Sequence, residues 1–319
     1  MPWPKKPTGI KYLPRKPFKD LTMTSKNEFS AVTTTAIVLL CIIFGANPVA
    51  VKITLAGLGS FTNAGIRFAI AAVVILLWAL LSRQPLKIQK HLWGSTLTLG
   101  MILATQMSLF YIGMTKTNAS HGALITNLLP FLVLVLSHFF IPGDRITPRK
   151  VVGMLMGFSG VFLILMDKEG MGSGYQTGDL IVLAAVFVWA CRIIFTKKVI
   201  QDFEPFHLVL YPFLLAAPLL LACGVLLDPA MVIRLDRTII WALLYQSIAI
   251  ASLGFVAWNT LLKQYGAASL HSFVFLMPIA GVCFGWLILG EPVTSHLLAA
   301  LALVTTGLMV LHLKLPGFP

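Results

Sequence analysis

Residues 61–81 read FTNAGIRFAIAAVVILLWALL, and this stretch decides the fold class. It carries a single charged side chain, Arg67. A helix needs about 20 apolar residues to cross the hydrocarbon core of a bilayer. Its side chains are almost all apolar and do not alternate, whereas the strands of a membrane barrel alternate apolar and polar residues. It therefore predicts a transmembrane helix.

The composition extends this prediction to the whole chain. Hydrophobic residues make up 58% and charged residues 11% of the 319 residues, whereas soluble domains carry about 25% charged residues. The mean hydropathy of +0.89 is typical of a chain whose solvent is mostly lipid. Comparable apolar runs occur at residues 33–54, 61–81, 92–113, 119–140, 148–166, 179–197, 206–227, 238–262, 268–289 and 294–313. We expect an all-α integral membrane protein with ten transmembrane helices.

The charge distribution predicts the orientation. The net charge of +13 would suggest a nucleic-acid partner in a soluble protein. Here most of the 24 Lys and Arg residues lie in the N-terminal tail or in alternate loops, and such loops are cytoplasmic in membrane proteins. We therefore expect both termini in the cytoplasm, an inner-membrane location and no nucleic-acid partner. Residues 1–30 are basic and lack the apolar core of a signal peptide, which predicts a disordered cytoplasmic tail.

The two halves of the chain resemble each other. NASHGALITNLLP at 118–130 aligns with GAASLHSFVFLMP at 266–278, PGDRIT at 142–147 with LGEPVT at 289–294, Gly160 with Gly307, and Lys52 with Lys197. Each half holds five spans, so the second copy must enter the membrane the other way up. This predicts two inverted five-helix repeats, residues 31–166 and 178–313. Such repeats are common in secondary transporters, because exchanging the conformations of the halves switches the side that is open.

Several motifs together resemble the EamA-like ten-helix family of the drug/metabolite transporter superfamily. They are FGANPVAVK at 44–52, AGIRFAIAAVVIL at 64–76, the LLP and PGD elements around 128–144, the LMP and LGE elements around 276–291, and GDLIVLAAVFVWA at 178–190. One departure is Phe44, where many members carry Trp. The resemblance covers about residues 33–313. It implies a polar central cavity and alternating access, and it does not imply a particular substrate.

Breaks in the spans are the first candidate features of a substrate site. Asn47 and Pro48 interrupt the first span, because proline removes a backbone donor and displaces a carbonyl one turn earlier. Such breaks line the substrate cavity of many transporters; the alternative is an ordinary kink. Pro130 and Pro278 lie at matching positions of the two repeats, which predicts that Pro48, Pro130 and Pro278 act as hinges.

Cations inside spans are the second candidate feature, because intramembrane charges are expensive and usually functional. Lys52 and Arg67 are therefore candidate substrate ligands, and they favour substrates with an anionic group. The alternatives are snorkelling of the long side chain to the interface and a clamp on carbonyls of a neighbouring helix. Arg192, near the end of its span, is predicted to snorkel.

Polar and amphipathic residues within the spans complete the set of candidate substrate ligands: Gln106, Tyr111, His121, Tyr211, Gln246, Trp258 and Asn259. Asn127 is a further polar residue of this kind. Such side chains either bond a neighbouring helix or line a small-molecule cavity beside aromatic walls. The sequence leaves both interpretations open for each of them.

The placement of the acids bears on energy coupling. All eleven Asp and Glu residues, including Asp179 and Glu291, fall in loops or close to the ends of spans. Proton-driven carriers commonly use a buried carboxylate, so the sequence favours transport without proton coupling. His121 is the one remaining candidate for a proton carrier, because histidine titrates near neutral pH.

Motifs for other functions are missing from the sequence. It has no phosphate-binding G-x-x-x-x-G-K-[ST] loop, no H-E-x-x-H pair, no G-x-S-x-G elbow and no C-x-x-C pair. We therefore expect no cofactor, no metal and no enzymatic activity. The G-x-x-x-G pairs Gly153/Gly157 and Gly281/Gly285 predict close helix packing within the chain or, alternatively, a homodimer.

These observations predict a permease whose partners are membrane lipid and a small-molecule substrate. The substrate would be an amino-acid-like compound, a carboxylate or an amphipathic compound, moved by alternating access. The alternative is a membrane-embedded enzyme acting on lipid-linked substrates, which would require a clustered catalytic constellation.

Overall fold

The computed structural model describes residues 30–141, 146–166, 175–200, 203–204, 206–265, 270 and 273–312. This part of the chain is built from helices, and its only β-type pairing is an isolated bridge between Leu58 and Val232. The prediction of an all-α chain is thus confirmed for the described residues. The tail predicted over residues 1–30 lies, except for Ser30, outside them.

Thirteen α-helices are described, and each is numbered in chain order. They are α1 (Ala31–Gly45), α2 (Asn47–Leu55), α3 (Ser60–Leu81), α4 (Trp93–Lys116), α5 (Ala119–Thr126), α6 (Leu129–Phe140), α7 (Pro148–Met166), α8 (Tyr175–Val199), α9 (His207–Leu227), α10 (Arg237–Leu244), α11 (Phe255–Tyr265), α12 (Leu276–Leu289) and α13 (Ser295–His312). A 3₁₀ turn, Lys90–Leu92, precedes α4, and a π-helix, Tyr245–Gly254, joins α10 to α11.

The helices match the predicted spans closely. Within the described residues, eight helical stretches are long and apolar enough to cross a membrane, and two shorter apolar helices, α12 and α13, follow them. Large apolar side chains such as Leu155 and Phe162 on α7 are exposed on the outside of the bundle, which suits a protein surrounded by lipid. In the span predicted over 268–289, the described helix begins at Leu276. Residues 268–269 and 271–272 lie outside the described part.

The predicted breaks occur where proline begins a new helix. The first span divides at Ala46, and Pro48 lies in the first turn of α2. The fourth span divides at Asn127 and Leu128, and Pro130 lies in the first turn of α6. Pro278 is in the first turn of α12. Proline is tolerated in a first turn because its missing N–H has no intrahelical partner there. Each of these residues therefore lies at the start of a helical segment.

The π-helix is a feature that the sequence did not predict. The eighth span was expected to be continuous over 238–262, but residues 245–254 follow a wider helical path. The hydroxyl of Ser252 donates to the carbonyl of Ser247, five residues earlier, at 2.8 Å. Wider turns of this kind inside α-helices frequently mark functional sites.

Small residues bring α7 and α13 into close contact. A methyl group built onto Gly307 would lie 2.7 Å from the carbonyl oxygen of Gly153, and one on Gly160 would lie 2.9 Å from that of Ala300. Glycine therefore allows the two backbones to touch. Gly281 approaches α5 and α1 in the same way. All four predicted G-x-x-x-G glycines, Gly153, Gly157, Gly281 and Gly285, therefore pack inside the chain.

The bundle has two ends with different polar residues. The acidic end holds the connections at 56–59, 117–118, 228–236 and 290–294, where Asp228 and Glu291 bind the first backbone N–H groups of α3 and α5. The basic end holds Ser30, the connection at 82–92 and the C-terminal end of α8. A carboxylate at a helix N-terminus satisfies orphan donors and complements the helix dipole.

Candidate functional site

A buried polar cluster centred on Arg67 is the candidate substrate site. Nη1 of Arg67, on α3, lies 3.3 Å from Oε1 of Gln246 in the π-helix and 3.4 Å from the hydroxyl of Tyr111 on α4. The Tyr111 hydroxyl donates to the same Gln246 oxygen at 2.8 Å. Three predicted site residues, 44 to 179 positions apart in the chain, are thus brought together.

Two further residues hold this cluster in place. Nε2 of Gln246 donates to the hydroxyl of Thr54 at 2.9 Å and to the carbonyl of Ala50 at 3.1 Å, both on α2. Nδ2 of Asn63 donates to the same Thr54 hydroxyl at 2.7 Å. Elements from four spans therefore meet at one point, with Arg67 in the middle.

The cluster leaves the charge of Arg67 poorly compensated. The side chain is only 4% exposed, and within the described residues it makes no ion pair. Its Nε is buried without a hydrogen-bond partner, and so are Oδ1 of Asn63 and Oδ1 of Asn47. A buried charge is costly unless it is paired and hydrogen-bonded. The arrangement can therefore accept an additional anionic or acceptor group.

Lys52 lies on α2 but has a different environment. Its Nζ donates to the carbonyls of Met114 and Thr117, at 2.9 and 2.7 Å, at the C-terminal end of α4. A cation is favourable there because the last carbonyls of a helix lack intrahelical partners. Of the interpretations that the sequence left open, the structure favours the carbonyl clamp.

Gln106 belongs to a second Arg–Gln pair. Nε of Arg192 on α8 donates to Oε1 of Gln106 on α4 at 2.9 Å. Arg192 thus binds across two helices, and the prediction that it only snorkels misses this contact. Asn127 similarly has a local role, because its Nδ2 donates to the carbonyl of Ala123 at 2.7 Å.

His121 lies at the acidic end, in a buried hydrogen-bonded pair with Asp179. Its Nδ1 is 2.9 Å from Oδ2 of Asp179, and the two side chains are 6% and 1% exposed. The other oxygen of Asp179 accepts a hydrogen bond from the Thr117 hydroxyl. Asp179 is the fifth residue of α8, so its predicted place near a span end is right, but the sequence did not indicate its burial against His121.

Tyr211 and Trp258 make contacts away from the Arg67 cluster. The Tyr211 hydroxyl donates to the carbonyl of Leu86, and the ring packs against Trp93 at the basic end. Trp258 meets Phe44 edge-on, with ring centroids 5.8 Å apart. The side chain of Asn259 lies outside the described part of the chain. The described side chains among the predicted ligands therefore do not all line one cavity.

Thr54 and Asn63 are the cluster residues that the sequence analysis missed. Asn63 precedes Arg67 by four residues, the spacing at which two side chains share one helix face. That spacing was a usable signal for Asn63. Nothing comparable pointed to Thr54, because its importance depends on the approach of Gln246, 192 residues later.

A bundle of long apolar helices around a buried polar cluster is typical of one class of protein, the polytopic membrane transporters. Comparison with known proteins agrees with this class. The chain belongs to the EamA-like transporter family, whose model matches residues 33–166 and 176–313. The resemblance noted in the sequence is thereby confirmed.

Relatives in the family match this chain over nearly their whole length. A protein of Salmonella typhimurium named a probable amino-acid metabolite efflux pump is 27% identical over 297 residues, which are 90% of this chain and 95% of the relative. The uncharacterized transporter YoaV of Bacillus subtilis is 24% identical, and the match covers 86% of this chain and 94% of the relative. A solved crystal structure that is 21% identical covers 88% of this chain with a TM-score of 0.64, which supports the fold.

Proposed function

We propose that this protein is a secondary transporter that moves a small carboxylate-bearing metabolite, such as an amino-acid-like compound, across the inner membrane by alternating access. The observation that carries the proposal is the buried, poorly compensated Arg67 among neutral partners. The relatives named as probable amino-acid metabolite efflux pumps support the same substrate class.

The chemistry of the guanidinium explains the preference for a carboxylate. Arginine presents N–H donors in a planar fork that matches two carboxylate oxygens, and such bonds are about twice as strong as neutral ones. Nε of Arg67 has no partner, and its Nη1 bonds are long, at 3.3 and 3.4 Å. A carboxylate would supply both a counter-charge and better-placed acceptors, after which Gln246 and Tyr111 could bind the rest of the ligand.

Reciprocal contacts between α7 and α13 support ten spans in two inverted repeats. At an offset of 147, Gly153 corresponds to Ala300 and Gly160 to Gly307. A pair of repeats related by a two-fold axis must make each contact twice, with the roles exchanged. Gly307 approaches Gly153, and its counterpart Gly160 approaches Ala300, the counterpart of Gly153. This is the pattern expected of two equivalent helices crossing on the axis.

The two ends support the orientation and the alternating mechanism. The basic end would face the cytoplasm, because Lys and Arg residues concentrate there. The acidic end would be the external gate, closed here by three sets of contacts: the Lys52 clamp, the Asp179 pair, and Glu291 on the first turn of α5. Opening that end and closing the other would expose Arg67 to alternate sides.

The rival proposal, an enzyme acting on lipid-linked substrates, finds little support in the geometry. The nearest resemblance to a catalytic group is His121 with Asp179 and Thr117. In a nucleophilic triad the hydroxyl bonds the free nitrogen of the imidazole. Here the Thr117 hydroxyl bonds the carboxylate instead, so the histidine does not activate it.

Ligand-dependent thermal stabilisation tests the site. A ligand that binds only the folded protein raises its stability by RT ln(1 + [L]/Kd). The purified protein is heated with matched pairs of compounds that differ in a carboxylate or an amine, including common amino acids and their decarboxylated amines. We expect carboxylates to raise the melting temperature of the wild type and to lose this effect in Arg67→Gln.

The matched control is Arg234→Gln, which removes an arginine whose side chain is 63% exposed at the acidic end. It should keep the stabilisation by carboxylates. Stabilisation by amines alone, or a full carboxylate response in Arg67→Gln, would refute the assignment.

A further inference from the structure

The buried pair of His121 and Asp179 has no part in the Arg67 cluster, yet it joins three elements at the acidic end. His121 is on α5 and Asp179 on α8, and Thr117 ends α4. The backbone N–H of His121 also donates to Oδ1 of Asn118, so the α5 N-terminus holds the imidazole in place. A titratable side chain is therefore buried at the junction that must separate if this end opens.

The charges around the pair leave room for one proton. Lys52 on α2 binds the carbonyl of Thr117, and Glu291 binds the N–H groups of Ala119 and Ser120 on α5. With a neutral imidazole, Lys52, Glu291 and Asp179 sum to one negative charge. With an imidazolium they sum to zero. Burial disfavours uncompensated charge, so the closed end favours the protonated form of His121.

Other titratable groups at this end do not change that balance. Lys116 is exposed at the end of α4, and its charge is screened by solvent. His296 lies in the first turn of α13, and Asp228 is engaged with Phe61 and Thr62 at the start of α3. On α12, which packs against α5, the one thiol is the exposed Cys283. On α7, Arg149 lies at the opposite end, bonded to Leu311.

We propose that the His121–Asp179 pair is the proton-binding site of this transporter: closing the acidic end takes up one proton on His121, and opening it releases that proton. When the end opens, water reaches the pair, and the buried charge balance that favours the imidazolium is lost. Proton binding and gate closure then favour each other by thermodynamic linkage. This inference rests on the proposed alternating access, and it makes the opening of the acidic end depend on pH.

The burial of Asp179 gives the chain a buried carboxylate that its sequence did not indicate. In the sequence, no acid lies near the centre of a span. Asp179 is near a span end, but it is 1% exposed and bound to an imidazole. Protonation of this site can therefore bias which end is closed.

Distance measurements between spin labels test the proposal without any substrate. Labels at Thr115, exposed at the end of α4, and Val293, exposed in the 290–294 connection, report on the acidic end after Cys41, Cys191, Cys223 and Cys283 are replaced by serine or alanine. In detergent and in lipid nanodiscs, we expect the short-distance population to increase as the pH falls from about 8 to about 5.

Two variants decide whether His121 is responsible. His121→Gln should abolish the pH dependence, and the matched control His91→Gln, at an exposed histidine of the basic end, should keep it. If His121→Gln does not fold, Asp179→Asn answers the question, because the loss of the carboxylate should lower the midpoint. Distances that do not change with pH, or a His121→Gln midpoint equal to that of the wild type, would overturn the proposal. Carboxylate binding at Arg67 is measured separately, so either idea can fail alone.

Discussion

At the scale of single residues, Arg67 and Lys52 show how two cations in apolar spans acquire different roles. Lys52 meets helix-end carbonyls at 2.7 and 2.9 Å, which are strong partners that need no ligand. Arg67 meets neutral side chains at 3.3 and 3.4 Å and keeps one N–H unpaired. The first arrangement stabilises the fold, whereas the second leaves an N–H donor available to a ligand. Residue type and position in the sequence do not distinguish them, because the difference lies in the partners.

The contrast predicts opposite effects on stability. Lys52→Met leaves two carbonyls without their donor, which should cost about 1–3 kcal/mol in free energy of unfolding. Arg67→Met removes a poorly paired buried charge, and replacing such charges by apolar groups is often neutral or stabilising. We therefore expect a lower melting temperature for Lys52→Met and an unchanged or higher one for Arg67→Met. Equal destabilisation by both variants would show that the Arg67 bonds are structural.

At the scale of helical elements, the sequence analysis found the apolar runs and the proline-marked starts of α2, α6 and α12, because both signals are local. It did not find the π-helix. Residues 245–254 are as apolar as their flanks, and the wider turn brings Gln246 to residues of α2, α3 and α4. Contacts of this kind depend on tertiary packing. The pairing of His121 with Asp179, 58 residues apart, was hidden for the same reason.

The close packing of α7 against α13 can be tested by adding one methyl group. A Cβ atom on Gly307 would lie 2.7 Å from the Gly153 carbonyl oxygen and 3.0 Å from the Gly157 nitrogen, whereas one on Gly94 of α4 would meet nothing within 4 Å. Alanine has the better helix propensity at both sites, by about 1 kcal/mol. We therefore expect Gly307→Ala to lower the melting temperature and Gly94→Ala to maintain or raise it. A harmless Gly307→Ala would argue against the close crossing of α7 and α13.

At the scale of the whole molecule, three features of the protein lie at different depths in the bundle. Arg67 and its partners form the proposed substrate site, the α7–α13 crossing lies between the proposed repeats, and the acidic end is the proposed gate. The class and family follow from composition and motif order, which the sequence displays in full. The substrate site required three-dimensional contacts, since Arg67, Tyr111 and Gln246 belong to three different spans.

Counterflow in proteoliposomes tests the central claim most directly. Vesicles containing the purified protein are loaded with an unlabelled carboxylate identified by thermal stabilisation, and entry of the same labelled compound is followed. The account predicts rapid transient accumulation in the wild type and in Arg234→Gln. It predicts at least a tenfold lower initial rate in Arg67→Gln, which corresponds to the loss of about 1.4 kcal/mol. Undiminished counterflow in folded Arg67→Gln, or no exchange by the wild type, would contradict it.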